Sequence, residues 1–237
     1  MAIMRQGFYK LTGVVLKRYE TNEGDIRLYN LFRDFGPQWI LAPGAARGRR
    51  RFGGATEPLI WGHFGCYKSP KQLYLRDIEV KEDHWKIRSN PDKLEKAMIW
   101  ANLLIKYLLP LQPCNEVMAI FYDSLCLLER DIDESMIEWR FLYRWMKRWG
   151  LAPELIRCAS CGKEVTTAYW DGDVVFCEEC RSNKDELIIP KEELREMVFA
   201  FALPRESLVR WIQRVEPRAN YVVYNRKLRD ILRLSLA

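Results

Sequence analysis

Apolar and polar positions change rhythm once along this chain. Over the first third, aromatic, aliphatic and β-branched residues gather in short runs between turn residues, and helical spacing is absent. Residues 8–18 carry Phe8, Leu11, Val14, Val15 and Leu16, and a second run covers 26–33 after Thr21-Asn22-Glu23-Gly24-Asp25, which is a hairpin signature. Asp34-Phe35-Gly36-Pro37 leads into a short third strand over 38–42, and strands over 59–67 and 73–80 flank Lys68-Ser69-Pro70-Lys71. Short strands joined by turn chemistry, five within about eighty residues, suit a Greek-key barrel such as an OB-fold, and an SH3-like barrel would look similar.

After a linker over 81–90 the apolar spacing becomes three and four. Ser89 or Asn90 can cap, Pro91 suits a first helical position, and Leu94, Ala97, Met98, Ala101, Leu104, Ile105 and Leu108 share one face before Pro110. The pattern repeats over 115–129 and 136–149, where Gly150 ends it, and again over 190–202, 204–215 and 221–236. The predicted fold class is α+β. An OB-fold barrel over 1–80 precedes an all-helical domain over 81–157 and 181–237, into which a small cysteine-bearing module over 158–180 is inserted. Most of the nine tryptophans fall inside helical patterns, where a core role is expected.

Charge sharpens this division. Residues 1–80 hold 13 Lys and Arg against 7 Asp and Glu, and residues 81–237 hold 25 against 25, so the net +6 of the chain resides in the predicted barrel. Charge concentrated on one domain is the footprint of a polyanion binder. Its densest stretch is 43–58, where Arg47, Arg49, Arg50 and Arg51 lie among glycines beside Phe52, with no carboxylate before Glu57. Such a loop offers forked donors, close backbone approach and one stacking plane, which suits a sugar-phosphate chain, although a merely solvated loop has the same composition. Lys10, Lys17, Arg18 and Arg27 extend the predicted contact surface. Tyr9, Tyr29, Trp39, Phe52 and Tyr74 are candidate stacking residues or barrel packing. An anionic membrane surface would also attract this charge, but the chain shows no long apolar run, signal-type segment or lipidation motif, so no membrane partner is expected.

Arg140, Arg144, Lys147 and Arg148 recur at three and four on one predicted helix. They form either a solvated stripe or a dock for an acidic peptide or DNA. From 205 onward, 8 Lys and Arg face 3 Asp and Glu, a second and weaker basic region.

The most specific chemical signal is Cys158-Ala-Ser-Cys161 followed by Cys177-Glu-Glu-Cys180. The spacing fits a four-cysteine zinc ribbon holding one structural zinc ion, with Ala168-Tyr169-Trp170 and Val174-Val175-Phe176 as its hairpin strands. Two disulfides or a redox pair are the alternatives. An odd count of seven cysteines argues for a reducing cytoplasm, and Cys66, Cys114 and Cys126 read as core thiols. His63 and His84 are the only histidines and belong to no catalytic motif, and no phosphate-cradling glycine turn is present, so no enzyme is expected.

The residues Asn22-Glu23-Gly24-Asp25-Ile26-Arg27-Leu28-Tyr29-Asn30-Leu31-Phe32, Phe35-Gly36, Ala42-Pro43-Gly44-Ala45-Ala46-Arg47 and Arg51-Phe52-Gly53-Gly54-Ala55-Thr56-Glu57-Pro58 resemble the bacterial RecO family of recombination mediators. The resemblance covers all three modules. Pro43 stands where the family usually has lysine, and Arg33 where it usually has threonine. The resemblance implies a non-enzymatic DNA repair protein in the cytoplasm, associated with the nucleoid. It would bind single- and double-stranded DNA, anneal complementary strands and, with RecR, assist RecA loading onto strands coated by single-stranded-DNA-binding protein. The basic helical stripe would take that protein's acidic C-terminal tail. An RNA-binding accessory factor in translation or transcription is the alternative, since OB-folds and zinc ribbons both occur there.

Overall fold

A computed structural model of the chain describes residues 4–47, 51–181 and 186–236. Strands β1 (Gly7–Glu20), β2 (Ile26–Phe32), β3 (Gly36–Ala42), β4 (Trp61–Lys68) and β5 (Leu73–Glu82) close a barrel in the order β1-β2-β3-β5-β4. Only β3 and β5 run parallel, and β1 is long enough to pair with both β2 and β4. This is the five-stranded OB-fold. Its interior is filled by Leu11, Val15, Leu28, Phe32, Ile40, Phe64 and Leu75, with the Phe32 and Phe64 rings edge-to-face at 5.6 Å.

A β-bulge interrupts the β1–β2 register between Val15 and Lys17. Because side chains alternate across a strand, one extra residue reverses which positions face outward. Leu11 and Val15 point into the barrel, whereas Lys17 and Tyr19 come to lie outside, opposite Tyr29 and Arg27. At Gly36 the backbone is left-handed (φ 71°), and an added Cβ would run into the Gln112 backbone, so glycine is required where that segment crosses the barrel.

By its internal packing the chain divides into two compact units, Met1–Leu125 and Cys126–Ala237. The first takes in the barrel, the short helix α1 (Trp85–Arg88) within the predicted linker, and α2 (Pro91–Tyr107). The Asn90 side chain caps α2 by accepting from the Asp92 and Lys93 N–H groups, with Pro91 at the first helical position. Helix α3 (Asn115–Leu128) follows.

The second unit is built around α4 (Glu134–Arg148), capped by the Asp133 carboxylate and buried along most of its length. It packs against α5 (Lys191–Ala202) and α7 (Tyr221–Ser235), and α6 (Arg205–Ile212) lies between these in sequence. The Trp139 ring lies 5.0 Å from Tyr143, 6.2 Å from Tyr224 and 6.3 Å from Trp170, and its indole donates to the Met197 carbonyl at 3.0 Å. Trp170 comes from the cysteine-bearing module. That module forms the hairpin β6 (Ala168–Asp171) and β7 (Val174–Phe176), and β6 also pairs with β8 (Leu187–Ile189), a three-residue strand outside the predicted 158–180 module.

Candidate nucleic-acid interface and metal centre

Arg27 on β2 lies opposite Tyr19 on β1 and Leu41 on β3, and Tyr29 lies opposite Trp39. On this outer face Trp39 is 45% exposed, covering Tyr29 at 4.8 Å and meeting Tyr19 edge-on at 5.4 Å. Lys17 and Arg27 are exposed beside these rings. A flat indole with two cations on the same face is what a stacked base with its phosphates needs. Tyr19 escaped the sequence reading because the bulge that turns it outward leaves no mark in the alternation. Tyr29 is buried beneath Trp39, so its ring supports the platform from below. Tyr9 packs against Phe35 at 6.2 Å and donates its hydroxyl to the Arg5 carbonyl, while Phe52 and Tyr74 are half-buried.

The basic loop is tied to the β1–β2 turn. Ala46 N–H donates to the Gly24 carbonyl at 3.0 Å, Gly44 N–H to the Asp25 carboxylate at 2.7 Å, and Arg47 Nε to the Glu23 carbonyl at 2.6 Å. Gly24 has φ 75°, and a Cβ there would strike the Arg47 side chain. Arg51 donates to the Arg76 carbonyl at 3.2 Å and lies 5.0 Å above the Phe52 ring. Arg47 and Arg51 are exposed, and neither has a carboxylate partner among the described residues. Arg49 and Arg50 lie outside the described residues.

Other predicted contacts are already partnered. Lys10 meets Glu79 at 3.0 Å, and hydrogen bonds from Lys81 and then Lys10 hold the Glu79 carboxyl at about 2. Arg18 is turned toward Glu20 at 2.5 Å and Glu57 at 3.7 Å, and reaches the Thr56 hydroxyl at 3.3 Å. It braces the end of the barrel. The helical stripe needs a correction: Arg140 is 1% exposed, donating to the carbonyls of Ala200 at 2.8 Å and Leu203 at 2.8 Å, so it is part of the core. Arg144 is half-buried, and Lys147 and Arg148 are exposed, with Lys147 5.2 Å above the Phe201 ring.

Cys158, Cys161, Cys177 and Cys180 bring their sulfurs within 4.8 Å of one another. The Cys161 and Cys177 sulfurs are 3.8 Å apart. Thiolates held tetrahedrally at about 2.3 Å from a metal ion would stand about 3.8 Å from each other, so the donor set fits a four-sulfur metal site. Backbone bonds fix the knuckles: Gly162 N–H donates to the Cys158 carbonyl at 2.9 Å and Cys180 N–H to the Cys177 carbonyl at 3.1 Å. Burial works against the Cys158 thiolate, but N–H groups of Cys161, Cys177 and Ser160 outweigh it and lower the thiol to about 6. Burial pushes the Cys66 thiol the other way, to about 12, as expected of a core thiol. His63, on β4, shares a hydrogen bond with the Thr12 hydroxyl at 3.0 Å. Among the described residues no helix is long and apolar enough to cross a membrane.

Comparison with known proteins divides the chain at the end of the barrel. Residues 4–82 match the family described as "Recombination protein O N terminal", and residues 88–202 match "Recombination protein O C terminal". The "DNA repair protein RecO" of Desulforamulus reducens is 28% identical over 187 residues, 76% of this chain and 72% of its own. Proteins of the same name from Acetivibrio thermocellus and Caldanaerobacter subterraneus subsp. tengcongensis are 25% identical over 181 residues and 24% identical over 208. The first alignment covers 74% of this chain and 72% of the relative, and the second 86% and 84%.

Proposed function

The chain belongs to the RecO family of DNA repair and recombination proteins, and from that premise we propose that it is a non-catalytic mediator acting on DNA in the cytoplasm. In this reading it binds single- and double-stranded DNA with little sequence preference and anneals complementary strands. With RecR it assists RecA loading on strands coated by single-stranded-DNA-binding protein. The observation that carries the proposal is the exposed Trp39 indole on the same outer face as the exposed Lys17 and Arg27, adjoining a basic loop whose described arginines have no carboxylate partner. Stacking accepts any base, and guanidinium contacts to phosphate carry no sequence information, so such a surface holds strands without reading them. Annealing then requires no bond-making residue. Two strands that repel in solution meet on one cationic surface, and base pairing supplies the favourable step.

The four cysteines are assigned one structural zinc ion, whose closed thiolate shell would hold the ribbon together without activating water. The acidic tail of the coating protein is assigned to Arg144, Lys147 and Arg148, without Arg140. The test is annealing of complementary oligonucleotides, bare and coated with single-stranded-DNA-binding protein. Accelerated annealing in both states is the expected result. No acceleration, together with preferential capture of tRNA or rRNA over single-stranded DNA in competition, would favour an RNA-binding accessory factor instead.

A further inference from the structure

The barrel carries a second set of exposed rings away from Trp39. Phe8, near the start of β1, is 79% exposed, an unusual position for a phenyl ring, and it has one aromatic neighbour among the described residues. That neighbour is Tyr67 on β4, with ring centroids 4.9 Å apart, and the Tyr67 hydroxyl is held by the Gln6 amide at 3.0 Å. The Arg76 guanidinium lies 5.8 Å from the Tyr67 ring centroid. The Arg76 carbonyl in turn accepts from Arg51 of the basic loop at 3.2 Å. Rings and guanidiniums therefore follow one another from β1 to that loop.

Strand pairing links this ladder to the Trp39 face. Tyr67 lies opposite Tyr74, Tyr74 opposite Leu41, and Leu41 opposite Arg27. The charge along it is of one sign: residues 5–10 and 65–76 contain Arg5, Lys10, Lys68, Lys71 and Arg76 and no Asp or Glu, the first carboxylate being Asp77. Among the described residues, Lys10 alone of these is paired with a carboxylate, Glu79.

We propose that the Phe8–Tyr67–Arg76 ladder is a second binding station for single-stranded nucleic acid, continuing the path from the Trp39 face around the barrel. A base stacks on the exposed Phe8 ring, which packs on Tyr67, while Arg76 and Arg51 take the neighbouring phosphates. This rests on the nucleic-acid reading given above and adds to it the length of strand that one barrel engages.

Oligothymidylates graded in length from about 4 to about 16 nucleotides, the range occupied by single OB-folds, test it by fluorescence anisotropy at fixed salt. With wild-type protein, affinity rises with length until both stations are filled. The Phe8→Ala/Arg76→Ala variant should match wild type on the shortest strands and bind the longest roughly tenfold more weakly, the loss of about one stacked base. Phe8→Trp, which keeps a stacking plane, should bind the longest strands as wild type does. Circular dichroism should show all three proteins equally folded, since Phe8 is exposed. Wild-type affinity of the double variant at every length, a uniform loss at all lengths, or failure of Phe8→Trp to bind like wild type overturns the inference and leaves the Trp39 face standing. If wild-type protein binds no oligothymidylate at any length, the nucleic-acid reading falls and takes this station with it.

Discussion

A guanidinium with almost no solvent contact is tolerated at Arg140 because its N–H groups meet the last carbonyls of α5 and the residue beyond, at Ala200, Phe201 and Leu203. Those carbonyls have no partner within their own helix, and the negative end of the helix dipole adds to the attraction. Replacing Arg140 by Met keeps the bulk and removes the donors, leaving buried acceptors unsatisfied. We predict a loss of about 3 kcal/mol. Thermal unfolding followed by circular dichroism would then show a midpoint lower by about 6–12 °C, whereas Arg148→Ala would stay within about 0.5 kcal/mol. The i, i+4 spacing of Arg140, Arg144 and Arg148 correctly put them on one helix face. What spacing does not contain is where along that face α5 arrives. Lys10 and Arg18 show the same limit, because Glu79 and Glu57 are distant in sequence and adjacent only in the closed barrel. The exposed cations of the Trp39 face, Lys17 and Arg27, could be named from the sequence, but the ring beside them, Tyr19, depends on a bulge.

The cysteine ribbon was the most legible element, since metal-ligand spacing is a geometric statement made directly in sequence. Its strands and turn follow from Tyr169-Trp170 and Asp171-Gly172-Asp173, with Gly172 at φ 55°. Less legible is how firmly it is joined to the helices. β8 adds a third strand to β6, and Trp170 is fully buried at 6.3 Å from Trp139, so the hairpin contributes to the core of its unit. The three-residue β8 has too few positions to display an alternation of its own. This attachment sets the consequence of losing the metal. We expect about one equivalent of zinc per chain, and Cys177→Ser or prolonged chelation should release it. Limited proteolysis should then cut within 158–180 and the Trp170 environment should change in near-ultraviolet circular dichroism, while the barrel strands stay protected. A metal-free protein with an intact, protease-resistant ribbon would show that the four thiols are not ligands.

At the scale of the whole molecule, the division of charge outlasts the details. The first 80 residues carry the net +6 and the remaining 157 are balanced, and the OB-fold order of the strands places Arg27, Lys17 and Trp39 on one outer face. The weaker basic region near the end of the chain is partly used internally. Arg229 of α7 donates to the buried Glu138 carboxylate of α4 at 2.5 Å, and Arg233 meets Asp230 at 3.5 Å. The barrel is therefore where a polyanion's charge should be neutralised. Neutralising a phosphate releases counterions, so the salt dependence of binding reports how many phosphates the protein covers. The decisive measurement is log affinity for single-stranded DNA against log salt concentration, for wild type and for the variant with Arg47, Arg49, Arg50 and Arg51 all replaced by Ala. The account predicts a slope shallower by about 3 in the variant, near 0.7 for each phosphate that is no longer neutralised. Superimposable slopes would place the DNA elsewhere on the protein and contradict it.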